Sequence, residues 1–185
     1  MPFKKVSYEQ WTKDYLKYVC PDATEDEIKE SYDRIQIPTR STVESAGYDF
    51  TIPYKFTAPA SPYNTANGSD ANNFMLITGI RWKKPSMVMK NLALFLFARS
   101  GMAHKFGVAP SNCVGVVDSD YYNSDNEGHI MVSINNIGIR RLRQVSTFAP
   151  GTKVVQGVIM EFYTDEDAEL APKTERNGGH GSTGT

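Results

Sequence analysis

The first 34 residues carry apolar side chains at helical spacing, and a helix-start signal precedes each of two segments. Ser7 and Gln10 form a predicted capping box, and Thr24 and Glu27 form a second. Pro21 ends the first segment. The apolar positions that follow the two boxes are Tyr8, Trp11, Tyr15 and Val19 in the first helix, and Ile28 and Tyr32 in the second. We expect residues 1–34 to be an N-terminal helical extension that serves as a packing element.

From Ile35 onward the pattern changes to short β-rich runs separated by Gly, Pro, Asn and Ser. This punctuation is typical of an all-β sandwich or barrel, and we assign residues 35–165 to it. Thr57–Asn73 is predicted to be a long surface loop, and Asn136–Gly151 a second excursion that carries Arg140, Arg141 and Arg143. The predicted strands are Ile35–Ile37, Tyr48–Pro53, Phe74–Trp82, Ser86–Phe97, Val114–Val117, Ile130–Ile134 and Lys153–Tyr163.

Composition narrows the class of protein. The 185 residues carry a net charge of −1, which gives no general attraction to nucleic acid or to an anionic membrane. Cys20 and Cys113 are two distant cysteines without metal-site spacing, so a reducing compartment fits. The N-terminus is unlike a signal peptide, and the longest apolar run, Leu92–Ala98, is too short to cross a bilayer. We expect a soluble cytoplasmic protein.

The last twenty residues lose periodicity, and residues 166–185 are predicted to be a flexible C-terminal arm. Its final ten residues, Arg176–Thr185, combine four glycines with an arginine, a histidine and hydroxyls. Glycine lets backbone N–H groups wrap phosphate oxygens, and an arginine adds a forked cation. On composition alone, a glycine-serine tail without a ligand is the competing interpretation.

Two internal segments also carry candidate chemistry. Arg99-Ser100-Gly101 follows a strong strand and presents a guanidinium, a hydroxyl and backbone N–H groups together, which favours a phosphate site. Asn112–Tyr121 is an apolar strand that ends in Asp118, where a carboxylate at the edge of buried residues can act as a base. An Asp-rich turn within a hairpin, continued by Tyr122–Glu127 and resuming at Gly128, is the simpler interpretation. Calcium binding by Asp118, Asp120, Asp125 and Glu127 is a further alternative, although EF-hand spacing is absent.

Together these segments resemble the five ordered motifs of the trimeric dUTPase (dUTP diphosphatase) family, in the form found in Gram-positive bacteria and their phages. The motifs are Ser45–Phe50, Arg99–Ala103, Asn112–Tyr121, Gly151–Gln156 and Arg176–Gly184. The resemblance implies a homotrimer of β-barrel or jelly-roll subunits with shared active sites. It also implies Mg²⁺-dependent hydrolysis of dUTP to dUMP and pyrophosphate, which limits uracil incorporation into DNA.

The resemblance further implies a role for individual residues. Asp118 is the predicted base that activates water for attack on the α-phosphate. Mg²⁺ needs no direct protein ligand, although Asp49 could reach it through water. Tyr121 is expected to pack on the deoxyribose, and His180 on the uracil ring. The predicted substrate-binding residues are Arg99, Ser100, Gly101, Asn112, Val117, Tyr121, Gln156, Arg176, His180, Gly181, Ser182 and Thr183.

The chain departs from the family pattern at His180, which replaces a usual Phe, around Asn177, where the fifth motif is shortened, and at Thr152, which replaces an acidic residue. A related deaminase family, acting on dCTP, would need a Glu where this chain has Ser133. A second alternative is a regulatory protein on the same fold that binds a repressor, if the chain is phage-encoded.

Overall fold

The computed structural model describes residues 2–58, 74–85, 87, 91–136 and 146–165. Within these ranges the chain forms two α-helices, eleven strands and two short helical segments of other types. In chain order they are β1 (Phe3–Lys5), α1 (Tyr8–Tyr18), α2 (Glu25–Asp33), β2 (Thr39–Arg40), β3 (Tyr48–Ile52), β4 (Phe56–Ala58), β5 (Phe74–Trp82), β6 (Leu92–Ala98), a π-helix (Met102–Phe106), β7 (Val108–Pro110), β8 (Val114–Val117), a 3₁₀-helix (Ser119–Asn123), β9 (His129–Asn136), β10 (Ser146–Phe148) and β11 (Thr152–Glu161).

The strands form two main antiparallel sheets, which confirms the prediction of a mainly β fold. One sheet has the order β2-β3-β11-β6-β8, and the other has the order β1-β5-β9-β7. A small two-stranded sheet joins β4 and β10. Alternate residues point inward from both main sheets and share one hydrophobic core. The fully buried core residues include Phe50, Ile52, Leu94, Ile77 and Ile134.

The two N-terminal helices belong to the same core. Trp11 on α1 is 0% exposed and donates its indole N–H to the Ser31 hydroxyl on α2, at 3.0 Å. Ile28 on α2 is also buried in the shared cluster. The helices are therefore a packing element, as predicted. The capping box of Thr24 and Glu27 is present as well.

The other predicted capping box is wrong. Ser7 does accept a hydrogen bond from the Gln10 backbone N–H, but the Gln10 side chain does not return to Ser7. Gln10 is buried and donates to Asp14 at 2.8 Å. The Ser7 backbone N–H instead donates to Glu127, 120 residues away, at 2.9 Å. A carboxylate is a stronger acceptor than an amide at the positive end of a helix, which explains the exchange.

Several predicted strand bounds also change. Ile35–Ile37 is not a strand, because Ile35 is held in the core by its side chain and lies directly over Gly79, which adopts a positive φ of 72°. The strand predicted from Ser86 begins at Leu92. The five shortest strands, β1, β2, β4, β7 and β10, are not predicted by the sequence, because two or three residues carry too little alternation to stand out.

The predicted hairpin of the third motif is wrong in its pairing. β8 pairs with β6 in the five-stranded sheet, whereas β9 pairs with β5 and β7 in the four-stranded sheet. β8 is also only partly buried: Val117 is 8% exposed, while Val116 is 54% exposed. The two strands therefore diverge into different sheets and leave a gap between them.

Most of the predicted surface loop Thr57–Asn73 lies outside the described residues, and so do Arg140, Arg141, Arg143 and the whole arm from residue 166. Thr57 itself lies in β4. Cys20 and Cys113 are both free thiols. Within the described part of the chain, neither helix has the length and hydrophobicity that a membrane span requires.

Candidate functional site

Asp49 on β3 organises a cluster of cations on the outer face of the five-stranded sheet. Its Oδ1 forms an ion pair with the Arg99 Nε at 3.0 Å, and its Oδ2 accepts a hydrogen bond from the Lys153 Nζ at 2.7 Å. The Ser41 hydroxyl donates to the same Oδ2 at 2.7 Å. Two cations thus share one carboxylate, and the cluster keeps a net positive charge that suits a polyanionic ligand.

The ionisation of Asp49 follows from these neighbours. Burial opposes the charged form, but the hydrogen bonds from Lys153 and Ser41 and the charge of Arg99 outweigh it. The pKa of Asp49 is therefore below its ordinary value. Both carboxylate oxygens are engaged with protein donors, so Asp49 acts here as an anchor for Arg99 and Lys153.

The Arg99-Ser100-Gly101 segment follows the last residue of β6 and turns directly into helical backbone. The Arg99 carbonyl accepts from the N–H groups of Met102 and Ala103, both at 3.0 Å. Gly101 has an ordinary φ of −63°, and a Cβ at this position would point into open space. Neither the backbone conformation nor packing among the residues that the structure describes requires glycine here, which leaves room for a ligand close to the backbone.

Gln156 lies on the same face as the cation cluster. In the strand register it is opposite Asp49 on one side and Phe97 on the other. A Cβ on Gly47 would lie 2.9 Å from the Gln156 Oε1, so the missing side chain at Gly47 makes room for the amide. The structure therefore brings together the predicted residues of the first, second and fourth motifs.

A cavity of about 460 Å³ occupies the gap between β8 and β9. Its lining residues are Met75, Leu96, Pro110, Ser111, Asn112, Gly115, Met131, Val132 and Ser133. β8 is an edge strand within the described sheets, so one row of its backbone donors and acceptors faces away from β6. The cavity can therefore take a flat heterocycle that pairs with backbone edges.

Three residues of the third motif differ in exposure. Asp118 is exposed and directly follows β8. Val117 lies in the hydrophobic core, so a ligand could meet only its backbone. Tyr121 is 7% exposed, and its hydroxyl donates to the His129 carbonyl at 2.9 Å. Any contact of Tyr121 with a sugar would involve only the small exposed part of its ring.

The structure does not bring Asp118 close to Arg99 within one chain. Val117 pairs with Leu94 and Val114 pairs with Phe97, so Asp118 and Arg99 lie at opposite ends of the β6–β8 ladder. Six residues separate the corresponding positions along β6, which is about 20 Å at the rise of an extended strand. The predicted residues Arg176, His180, Gly181, Ser182 and Thr183 lie outside the described part of the chain.

The structure also bears on the alternatives. Ser133 lies on β9 at the cavity, and its hydroxyl donates to the Ser111 hydroxyl at 3.2 Å, so no carboxylate is present where the deaminase would need one. The Glu127 carboxylate, considered for calcium, is engaged by Ser7 and Arg81. Within the described ranges, no group of three or more acidic, histidine or cysteine side chains could hold a metal ion.

Sequence reasoning missed two residues of the cation cluster, Lys153 and Ser41. Lys153 lies inside the fourth motif, and its position three residues before Gln156 was the available signal. Ser41 precedes the first motif by several residues, and only the β2–β3 pairing reveals that it meets Asp49.

Comparison with known proteins agrees with this geometry. The family model for dUTPase matches residues 33–184. The deoxyuridine 5'-triphosphate nucleotidohydrolase of Lactococcus lactis is 34% identical over 151 residues, covering 81% of this chain and 89% of the relative. The Escherichia coli protein of the same name is 30% identical, covering 78% of this chain and 85% of the relative.

Solved structures give the same result. The crystal structure of dUTPase from Streptococcus mutans superposes with a TM-score of 0.61 at 26% identity, covering 90% of this chain and 99% of that one. A Staphylococcus bacteriophage 80alpha dUTPase shares the fold, with a TM-score of 0.52 at 18% identity, covering 82% of this chain and 94% of that one. The family model, the relatives and the shared fold together establish that this chain belongs to the dUTPase family.

Proposed function

We propose that this protein hydrolyses dUTP to dUMP and pyrophosphate. Membership of the dUTPase family supports this function, and one observation carries it. β8, which Asp118 directly follows, borders a base-sized cavity, and within the described sheets it pairs with a strand on one side only. Asp118 lies three residues beyond Gly115 of the cavity wall, about 10 Å along the strand, so the sugar and α-phosphate of a nucleotide bound there by its base could reach the carboxylate.

The cavity suits uracil among the nucleobases. Uracil presents an alternating pattern of acceptors and a donor, which the edge of β8 can match in the manner of a neighbouring strand. Cytosine would present the wrong pattern and leave buried polar groups unpaired. Thymine would need space for a methyl group in the gap between β8 and β9. Asn112 lines this cavity and can assist recognition.

The cation cluster around Asp49 is the proposed phosphate site. Arg99 and Lys153 supply charge, and Gln156 can supply an amide donor beside them. The open space at Gly101 allows phosphate oxygens to approach the backbone. Mg²⁺ fits such a site because the phosphates and waters can hold it, and when bound it would neutralise charge on the triphosphate.

In the proposed reaction, Asp118 accepts a proton from a water molecule as the water oxygen forms a bond to the α-phosphorus. The bond between the α-phosphorus and the oxygen that bridges to the β-phosphate breaks in line with this attack. The electron pair of that bond leaves on pyrophosphate. Arg99 and Lys153 stabilise charge on the departing group.

The separation of about 20 Å between Asp118 and Arg99 along the β6–β8 ladder supports active sites shared between copies of this chain, in a homotrimer. A base and a cation that act on one triphosphate must lie close together, so Asp118 and Arg99 would come from different subunits. The outer face of β6 and β8 carries Phe95, Phe97, Val114 and Val116, of which Val116 is 54% exposed. An apolar face of this kind is suited to burial against another subunit.

The C-terminal arm, residues 166–185, completes the proposal. Arg176, Gly181, Ser182 and Thr183 would close over the β- and γ-phosphates, and His180 would lie on the uracil ring. Such a lid excludes water from the reaction. Binding of a repressor stays a separate prediction, and so does a cytoplasmic location.

The test is pyrophosphate release from dUTP, dCTP, dTTP and UTP, measured side by side with and without Mg²⁺. We expect rapid release from dUTP alone, and slower release after Mg²⁺ is removed. Comparable release from dTTP or UTP would contradict the proposed recognition. Release of ammonia from dCTP would instead favour deamination.

A further inference from the structure

Residues 118–128, here called the Asp118 loop, connect β8 to β9 and form a compact unit. The Tyr121 hydroxyl accepts from the Asn126 amide at 2.8 Å and donates to the His129 carbonyl. Gly128 has a φ of +68°, and a Cβ there would lie 2.6 Å from the Tyr121 carbonyl oxygen. The first half of the loop, around Tyr121, thus contacts the second half, around Asn126 and Gly128. A displacement of one half would therefore move the other.

The far end of this loop is fastened to helix α1. Glu127 accepts from the Ser7 backbone N–H at 2.9 Å and from the Ser7 hydroxyl at 2.5 Å. Ser7 is the N-cap of α1, so the carboxylate also lies at the positive end of the helix. Burial opposes ionisation, but the Ser7 bonds and the charge of Arg81 keep the pKa of Glu127 below its ordinary value.

Arg81 on β5 contacts both halves of the loop. Its Nη1 donates to Glu127 Oε2 at 3.3 Å, and its Nη2 donates to the Tyr122 carbonyl at 2.7 Å. Its guanidinium also lies over the Tyr122 ring, with the central carbon 3.7 Å from the ring centroid. Only 18% of the Arg81 side chain is exposed, so these contacts are largely shielded from water.

A second tie joins α1 to the residue that follows the loop. His129 is 0% exposed, and its Nε2 accepts from the Gly79 backbone N–H at 2.8 Å. The ring proton is therefore on Nδ1, which donates to Asp14 on α1 at 2.6 Å. The Asp118 loop is thus held to α1 at Glu127, and the chain is held to α1 again at His129, directly after the loop.

We infer that helix α1 is a brace for the active site, and that Glu127 is a positioning residue that sets the place of Asp118 through the loop. The inference rests on the proposed function, because it assigns the brace to the base of that reaction. A misplacement of the order of 1 Å can cost up to about 100-fold in rate. Such a misplacement of Asp118 would not disturb the contacts that hold the nucleobase and the phosphates.

The chain supplies a matched control on α2. Glu27 accepts from the Thr24 backbone N–H at 2.8 Å and from the Thr24 hydroxyl at 3.0 Å, just as Glu127 does from Ser7. Glu27 caps its own helix and is not part of the Asp118 loop. Glu127→Gln and Glu27→Gln therefore remove the same charge from the same kind of helix cap.

The experiment measures kcat and KM for dUTP, the melting temperature and hydrogen exchange of residues 118–128 for wild type and both variants. We expect a loss of melting temperature in both, and a larger one in Glu127→Gln, which also loses the ion pair with Arg81. Only Glu127→Gln should lower kcat, by about ten-fold with KM within about two-fold, and only it should speed exchange in the loop. Ser7→Ala and Thr24→Ala form a second pair, of which only Ser7→Ala should lower kcat. Ser7→Thr keeps the hydroxyl and should keep the wild-type kcat.

Equal kcat values in Glu127→Gln and Glu27→Gln would overturn the inference, and so would a change confined to KM. Failure of the proposed function is a distinct result, since wild type itself would then release no pyrophosphate from dUTP. In that case hydrogen exchange still decides whether Glu127 braces the loop.

Discussion

At the residue scale, Gly101 is informative because nothing in the described part of the chain requires a glycine there. Its backbone conformation is ordinary, and a Cβ would meet no atom of residues 2–58, 74–85, 87, 91–136 or 146–165 within 4 Å. Gly101→Ala should therefore keep or slightly raise the melting temperature, since alanine is favoured over glycine in helical backbone. The added methyl would occupy the proposed phosphate site, and we expect KM for dUTP to rise by roughly ten-fold. Steady-state kinetics would check this, and an unchanged KM would place the phosphates elsewhere.

Asp118 carries the chemical step of the proposal. Asp118→Asn keeps the size and most hydrogen-bonding capacity of the side chain but removes its basicity. We expect turnover to fall by roughly 10²–10⁴-fold, the usual contribution of a general base. Affinity for a nonhydrolysable dUTP analogue, measured by calorimetry, should change little. Near-normal pyrophosphate release by this variant would show that another group activates the water.

The sequence predicts Asp118, Arg99 and Gly101 as site residues because each lies within a short local motif. It could not identify the partners of Glu127 and His129, which lie 120 and 115 residues away in the chain. Those pairs exist only because the fold places α1 beside the start of β9. At the N-cap of α1, the Ser7 backbone N–H therefore donates to the distant Glu127 and not to the nearby Gln10 side chain that the local sequence favours.

At the element scale, the long strands could be predicted and the pairing of β8 could not. Alternating or continuous apolar residues mark β5, β6 and β11 clearly. β8 and β9 are neighbours in sequence with a turn between them, a pattern typical of a hairpin. Whether β8 pairs with β9 or with β6 depends on which sheet buries Val117, and the local spacing of residues does not indicate which sheet that is.

The link between α1 and β9 predicts a pH dependence of stability. Burial opposes ionisation of Asp14, but hydrogen bonds from His129 and Gln10 outweigh it and hold its pKa below the ordinary value. A depressed carboxyl pKa contributes stability above the unfolded-state value, near pH 4, and that stability is lost as the pH falls further. Asp14→Asn should therefore lower the melting temperature at pH 7 and reduce its further fall between pH 5 and pH 3. Asp33→Asn, at an exposed pair with Lys29, is the control and should keep the wild-type pH profile.

At the scale of the whole molecule, the separation of Asp118 from Arg99 bears on the proposed sharing of active sites between subunits. Both residues are fixed at the ends of one ladder, so no local rearrangement could bring them to the same triphosphate without breaking β6 from β8. The cation cluster around Asp49 lies on the same face of the sheet as the apolar strip, which is formed by Phe95, Phe97, Val114 and Val116 of β6 and β8. A subunit that covers the strip could therefore place its own Asp118 next to the cluster of its neighbour.

Mixing of subunits tests this arrangement directly. Asp118→Asn and Arg99→Ala should each be nearly inactive alone, because every site lacks one required group. In an equal mixture refolded together, about one quarter of the shared sites would combine an intact Asp118 from one subunit with an intact Arg99 from the next. Pyrophosphate release should then recover to about one quarter of the wild-type rate, given random assembly into closed trimers. Sites contained within single chains would give no recovery, since each chain in the mixture still carries a defect.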